Sequence, residues 1–162
     1  MSNPDYIYFD VASTTPIDSD VLDKMHEVNK NYFGNSSSVH QIGQKSHNLI
    51  ERSRKSIASL LHCFESEIIF TSGGTESNNI ALRGILNKND HLITSTYEHP
   101  SILNVAKALN QKGIEVSYVK PNADGIINPD DIKNALKENT KLVSIMYVNN
   151  ELGSINSIEE IA

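Results

Sequence analysis

The chain has 162 residues, 38% of them hydrophobic and 21% charged, which suits a single globular domain and excludes a disordered segment. Its formal net charge of −6 argues against a nucleic-acid surface, and no apolar run reaches the ~18–20 residues of a membrane span. A lone cysteine, Cys63, rules out an internal disulfide and fits a reducing cytosol, and Met1 to Phe9 lacks the basic and apolar segments of a signal peptide.

In chain order, Tyr6–Asp10 reads as a short strand, broken by the turn-forming Ala12-Ser13-Thr14-Thr15-Pro16. Asp18 to Asn31 reads as a helix with Val21, Leu22, Met25 and Val28 on one stripe. A small polar loop, Phe33 to His40, follows. Ile42, Leu49, Ile50, Ile57, Leu60 and Leu61 then mark a long amphipathic helix whose charges, Lys45, Glu51, Arg52 and Lys55, form a solvated face. Glu67–Phe70 is a β-prone run. The stretch Thr71 to Asn79 is a glycine-rich turn opening a helix that carries Ile80, Ala81, Gly84 and Ile85. His91–Thr96 is a strand ending in Tyr97-Glu98-His99-Pro100, and Ile102, Val105, Ala106 and Leu109 define the next helix, with Gly113 beyond it. Glu115–Lys120 is a strand and Asp124-Gly125 a turn. Asn128-Pro129 opens a helix with Ile132, Ala135 and Leu136 inward. Leu142–Val148 is nearly continuous in apolar character, so a strand covered on both faces is expected there. Ser157 and Glu160 have capping-box spacing, yet barely one helical turn follows, and the sequence reads as a piece of a longer protein.

Alternating strands and helices imply a parallel, doubly wound sheet, in which ligands gather beyond the carboxyl ends of the strands. Three such ends carry polar residues: Ser72 to Thr75, Glu98-His99 and Asn149-Asn150-Glu151. The first is the most informative. Two glycines, a hydroxyl from Thr75 or Ser77, and the unpaired amides of a first helical turn make an anion site that suits a phosphate. The pattern is neither a Gly-Lys-Ser/Thr loop nor a three-glycine dinucleotide fingerprint, and a plain tight turn of an α/β fold also accounts for it.

Five segments together resemble the cysteine desulfurases: Tyr8-Phe9-Asp10 with Ala12 to Pro16; Gly34-Asn35-Ser36-Ser37 with His40; Phe70 to Asn79; Glu98-His99; and Val148-Asn149-Asn150-Glu151 with Gly153. The resemblance runs in order over nearly the whole chain. It implies the class V branch of the aminotransferase-like fold, the three-layer α/β/α, mainly parallel large domain of the fold type I enzymes dependent on pyridoxal 5'-phosphate (PLP). Residues 1–162 would form the N-terminal part of that domain, with 1–40 as an arm and loop region. Gly74 and Thr75 would hold the PLP phosphate, His99 would stack on the pyridine ring and move protons, and Asn150 would hydrogen-bond the phenolic oxygen of the cofactor. The implied reaction takes sulfur from L-cysteine, giving L-alanine and an enzyme persulfide for iron–sulfur cluster or thiocofactor assembly. A sulfur-acceptor or scaffold protein, a homodimer and a cytoplasmic location are implied with it.

Departures from the pattern are Val11 and Ser36. The lysine that carries the cofactor, the aspartate at its ring nitrogen and the persulfide cysteine lie, in that family, beyond the Asn-Asn-Glu segment, so this chain alone is expected to be inactive. Cys63, after the long helix, reads as a small buried hydrophobe. The six histidines lack ligand spacing, and no metal site is expected. Two other readings stay open: a non-catalytic remnant that binds phosphate or a protein partner, and another class V PLP enzyme such as a selenocysteine lyase or an aminotransferase.

Overall fold

The computed structural model describes residues 7–162 and divides into two compact units, Met1–Phe70 and Thr71–Ala162. The first unit is helical. Helix α1, Ser19–Asn31, starts at Asp18, whose carboxylate accepts the Asp20 N–H at 2.9 Å. Its predicted stripe forms, but Val21, Leu22 and Met25 stay exposed and no residue of the helix is buried. Helix α2, Gln41–Leu61, is capped by His40, whose Nδ1 accepts the Gly43 N–H at 3.2 Å. The preceding loop packs closely on it: a Cβ at Gly34 would lie 2.6 Å from the Ile42 carbonyl oxygen, and one at Gly43 2.6 Å from that of Asn35. Small residues in this loop therefore serve backbone-to-backbone packing. The buried face of α2 is Gly43, Ser46 and Ala58, whereas the expected core residues Leu60 and Leu61 are exposed. Arg54, absent from the sequence reading, pairs with Glu51, donates to the Ile68 carbonyl and lies 4.9 Å from the Phe70 ring centroid. Cys63 is half-buried, which is less than expected.

Two predicted strands of this unit are not found among the described residues. Tyr6 lies outside the described residues; after it, the Tyr8 hydroxyl donates to the carbonyls of Asp10 and Thr14, and Ser13 Oγ donates to Asp10 Oδ1 at 2.7 Å, which closes a turn. Over Glu67–Phe70, a 3-10 turn, Glu65–Glu67, is followed by unpaired chain. A strand exists through its neighbours, and neither run has one among the described residues.

The second unit is an α/β sandwich. Helix α3, Gly74–Ile85, is followed by strand β1, His91–Ser95; helix α4, Pro100–Asn110; strand β2, Glu115–Val119; helix α5, Pro129–Ala135; strand β3, Thr140–Ser144; and the single turn α6, Ile158–Ile161. The sheet is parallel, in the order β2-β1-β3, as the alternation of elements predicts. Leu92 is in register with Val116 and Leu142, and these pack with Leu82, Ile102, Val105, Ala106 and Leu109 of α3 and α4. Ile93, one residue on, points to the other face, with Val143, Ile127 and Ile132 of the α5 side. Helices thus cover both faces of the sheet.

Strand β1, not β3, is the one covered on both sides: all five of its residues are buried, while β3 is a half-buried edge. The apolar run predicted to continue to Val148 leaves the sheet after Ser144. Leu136 is exposed, because α5 ends at Ala135 and turns away. Ser157 starts α6 with no side-chain cap bond, so the capping box is not made.

Candidate active site at the ends of β1 and β3

Helix α4, which follows β1, packs on one face of the sheet, and α6, which follows β3, contributes Ile161 to the other. Neighbouring strands whose outgoing chains part to opposite faces leave a crevice between their carboxyl ends. Hydrogen bonds tie together the polar segments named from the sequence.

The first segment is the turn into α3. Gly73 caps the helix in extended backbone without a side-chain bond, and the N–H groups of Gly74, Thr75 and Glu76 find no acceptor among the described residues. A Cβ at Gly73 or Gly74 would meet nothing within 4 Å among the described residues, so no packing seen there demands these glycines, and they leave the approach to the amides open. Of the two candidate hydroxyls, Ser77 Oγ is taken, 2.7 Å from Thr71 Oγ1, while that of Thr75 is exposed and has no partner among the described residues. Glu76 turns back to accept the Ser72 N–H at 2.6 Å, which holds its carboxyl below the usual range and fixes the loop.

The second segment follows β1. Glu98 is buried beneath the exposed His99, and its Oε1 accepts from Ser95 Oγ and from the Met146 N–H, both at 2.8 Å. Burial pushes this carboxyl up; the two donors oppose the shift. His99 is the N-cap of α4, with Pro100 behind it in the first turn. Its Nδ1 accepts the Ser101 N–H at 3.1 Å and lies 2.8 Å from Ser101 Oγ, and Ser101 Oγ accepts from Asn78 Nδ2 at 2.8 Å. Asn78 stands in α3, one turn past Gly74. A chain of three side chains therefore joins the free-amide end of α3 to the imidazole.

The third segment follows β3. Asn149 is buried; its Oδ1 accepts the N–H groups of Glu151 (2.9 Å) and Leu152 (2.8 Å), and its Nδ2 donates to the Tyr97 carbonyl at 3.2 Å. This turn presents Asn150, which is exposed and donates one amide hydrogen to Glu151 Oε1 at 3.0 Å; the second has no partner among the described residues. Beneath it, Asn156 accepts the Ile127 N–H at 2.8 Å and donates to the Met146 carbonyl and to Tyr97 Oη, which donates to the Gly125 carbonyl. The loops after all three strands are braced by this one buried network.

Gly74, Thr75, His99 and Asn150 thus stand on segments that hydrogen bonds tie to one another. Ser101, Asn78 and the bracing pair Tyr97 and Asn156 were not read from the sequence. A histidine before Pro-Ser at a helix start is an N-cap pattern that points to Ser101; Asn156 gives no local signal, since its partners lie 10 to 59 residues away.

The family model for aminotransferase class-V matches residues 7–162. The chain belongs to the aminotransferase class-V family. It is 42% identical over 160 residues to a "Cysteine desulfurase IscS" of Dictyoglomus turgidum, covering 96% of this chain and 41% of that protein. Against a "Cysteine desulfurase, mitosomal" of Encephalitozoon cuniculi the identity is 44% over 162 residues, with 96% and 38% covered. Among solved structures, "SspA in complex with cysteine" superposes with a TM-score of 0.90 at 40% identity over 95% of this chain and 46% of that one. A "NifS-like protein" gives 0.91 at 34% identity over 96% and 44%. The chain therefore spans about two-fifths of the length of the curated relatives it matches.

Proposed function

We propose that this chain supplies the phosphate-binding and ring-facing side of a PLP-dependent cysteine desulfurase, which removes sulfur from L-cysteine to give L-alanine and an enzyme persulfide. The observation that carries the reading is the hydrogen-bonded chain from α3 through Asn78 and Ser101 to His99, which sets an open anion site beside an exposed imidazole. The residues present fit the cofactor: three amides and a hydroxyl without a partner among the described residues, and two glycines with no described atom within reach of a Cβ. PLP, when bound, supplies an electron sink for charge developing at the substrate carbon.

The amides of Gly74 and Thr75 and the Thr75 hydroxyl would bind its phosphate, aided by the positive end of α3. Nδ1 of His99 is an acceptor, so the neutral ring carries its proton on Nε2, where it is presented as a hydrogen-bond donor at the mouth of the crevice. The second amide hydrogen of Asn150 would donate to the phenolic oxygen. The cysteine desulfurase relatives support the substrate, as does the similar solved structure, SspA, which is a complex with cysteine. Iron–sulfur cluster or thiocofactor assembly, a sulfur-acceptor or scaffold partner, a homodimer and a cytoplasmic setting belong to the same proposal.

The test is a chimera in which this chain continues into the remaining length of the Dictyoglomus turgidum relative. His99→Ala is expected to lower alanine formation from cysteine by ~10²–10⁴ with PLP retained. Thr75→Ala is expected to lose PLP first on dialysis, because it removes a charge-assisted hydrogen bond worth about 1.5–3 kcal/mol. Full turnover in His99→Ala would refute the placement of the site.

A further inference from the structure

We propose that Ser101 and Asn78 are positioning residues for His99: the Ser101 N–H holds His99 Nδ1 as an acceptor, Asn78 donates to Ser101 Oγ, and the Ser101 hydroxyl proton is turned onto Nδ1, which presents Nε2–H to the crevice. The argument is one of direction. Asn78 Nδ2 can only donate, so at 2.8 Å it uses Ser101 Oγ as acceptor. The Ser101 proton is then free to point at His99 Nδ1, also 2.8 Å away. The Ser101 N–H points at the same nitrogen from 3.1 Å. Two donors on one ring nitrogen leave no room for a proton there, so the tautomer is set, and the ring is held against rotation about its Cβ–Cγ bond. The relay is sheltered: Ser101 is 8% exposed and Asn78 is half-buried, while the imidazole they hold is open. The catalytic meaning of this relay rests on the reading of His99 given above; its geometry does not.

The test uses the full 162-residue chain labelled with 15N-histidine. The imidazole nitrogens are followed by NMR, with the His99 signal identified by its loss in His99→Gln. The wild type is expected to show one tautomer, protonated at Nε2. Ser101→Ala, which leaves only the 3.1 Å backbone donor on Nδ1, should shift the signal part of the way toward the other tautomer, and Ser101→Thr, which returns a hydroxyl, should restore it. Asn78→Asp is the sharper variant: a carboxylate only accepts, so it should draw the Ser101 proton away from His99 and reproduce the Ser101→Ala spectrum with the hydroxyl still in place. A purely structural role for Ser101 would not make Asn78→Asp mimic its loss. A wild-type proton on Nδ1, or spectra of Ser101→Ala and Asn78→Asp identical to wild type, would overturn the relay. In the chimera, Ser101→Ala should lower kcat on the order of ten- to a hundredfold with KM and PLP content unchanged. A moved tautomer with unchanged kcat would instead overturn the assignment of His99 to the reaction, and the positioning role with it.

Discussion

Replacing Glu98 by alanine and by glutamine separates what its oxygen does from what its charge does. Glu98 is 5% exposed and holds two donors on Oε1, the Ser95 hydroxyl and the Met146 N–H. In Glu98→Ala the Met146 N–H is stranded in the interior, which costs about 1–3 kcal/mol. One buried methylene is lost as well, at ~0.8 kcal/mol before any collapse of the space. The Ser95 hydroxyl can rotate and adds little. The expected loss is therefore about 2–4 kcal/mol. Glu98→Gln keeps an acceptor in place and removes a charge that burial disfavours, so its stability should stay within about 1 kcal/mol of wild type at neutral pH. The two proteins should also differ in pH response. Because the folded carboxyl is raised above its ordinary value of 4.5, the native state holds the proton more tightly than the unfolded chain. Wild type should then gain stability as pH falls through the raised value towards 4.5, a gain fully present below it and lost again as pH rises, while the glutamine variant lacks this response. Urea unfolding followed by far-UV circular dichroism between pH 4.5 and 8 measures both effects. A glutamine variant as unstable as the alanine one, or a wild-type-to-glutamine gap that does not change with pH, would refute the assignment of a buried, desolvated carboxylate to this site.

At the opposite end of the sheet, His91 is fully buried and its two ring nitrogens lie 2.8 Å from Thr140 Oγ1 and from Ser117 Oγ, bracing all three strands. Burial first, and then the Lys137 charge, hold this imidazole below its ordinary value of 6.5 against the opposing pull of Glu115. As pH falls below 6.5 the unfolded chain takes up a proton that the fold refuses, so stability should drop with a slope of up to about 1.4 kcal/mol per pH unit, and His91→Gln should flatten that limb in urea titrations. Hydrogen exchange should divide the chain: amides of β1 and α4 protected to the level of global unfolding, and those of α1, which buries no residue, exchanging close to freely. Equal protection in α1 and β1 would contradict this. With large apolar side chains of α1 and α2 exposed and β3 an open edge, the 162-residue chain should self-associate as concentration rises, which light scattering detects; a monodisperse monomer at every concentration would count against it.

Helices were the most legible part of the sequence, because their signals are local. Asp18, Asn128 and His99-Pro100 each mark a helix start within a residue or two of the residues they cap. Strands were legible only where a partner exists. His91–Ser95 and Glu115–Val119 pair as read, whereas Tyr6–Asp10 and Glu67–Phe70 carry the same β-prone composition and stay unpaired over the described residues. Composition measures fitness for a pleated surface, not the presence of a neighbour. The same gap misplaced the core. Leu142–Val148 is the more apolar run, yet β1 is the central strand, since burial is decided by strand order, and strand order is non-local.

The candidate site divides along the same line. Gly74, Thr75, His99 and Asn150 could be named because each lies in a short motif, but no motif says which hydroxyl is free or which ring nitrogen carries a proton. Those answers come from residues distant in sequence: Thr71 takes the hydroxyl of Ser77 and leaves that of Thr75, while Asn78, 23 residues before Ser101, sets the direction of the bond to His99. Glu98 acts at longer range still, taking the N–H of Met146, 48 residues on, where β3 has already left the sheet, and Asn156 holds the carbonyl of the same residue. Such groups look like ordinary polar residues in a sequence. In the fold they are buried, so each must be paired, and the pairing fixes the geometry of the exposed residues above them. Chemistry at this crevice would therefore be more sensitive to its buried supports than motif matching suggests, which is why the sharpest experiments here change Glu98, Asn78 and Ser101 as well as His99.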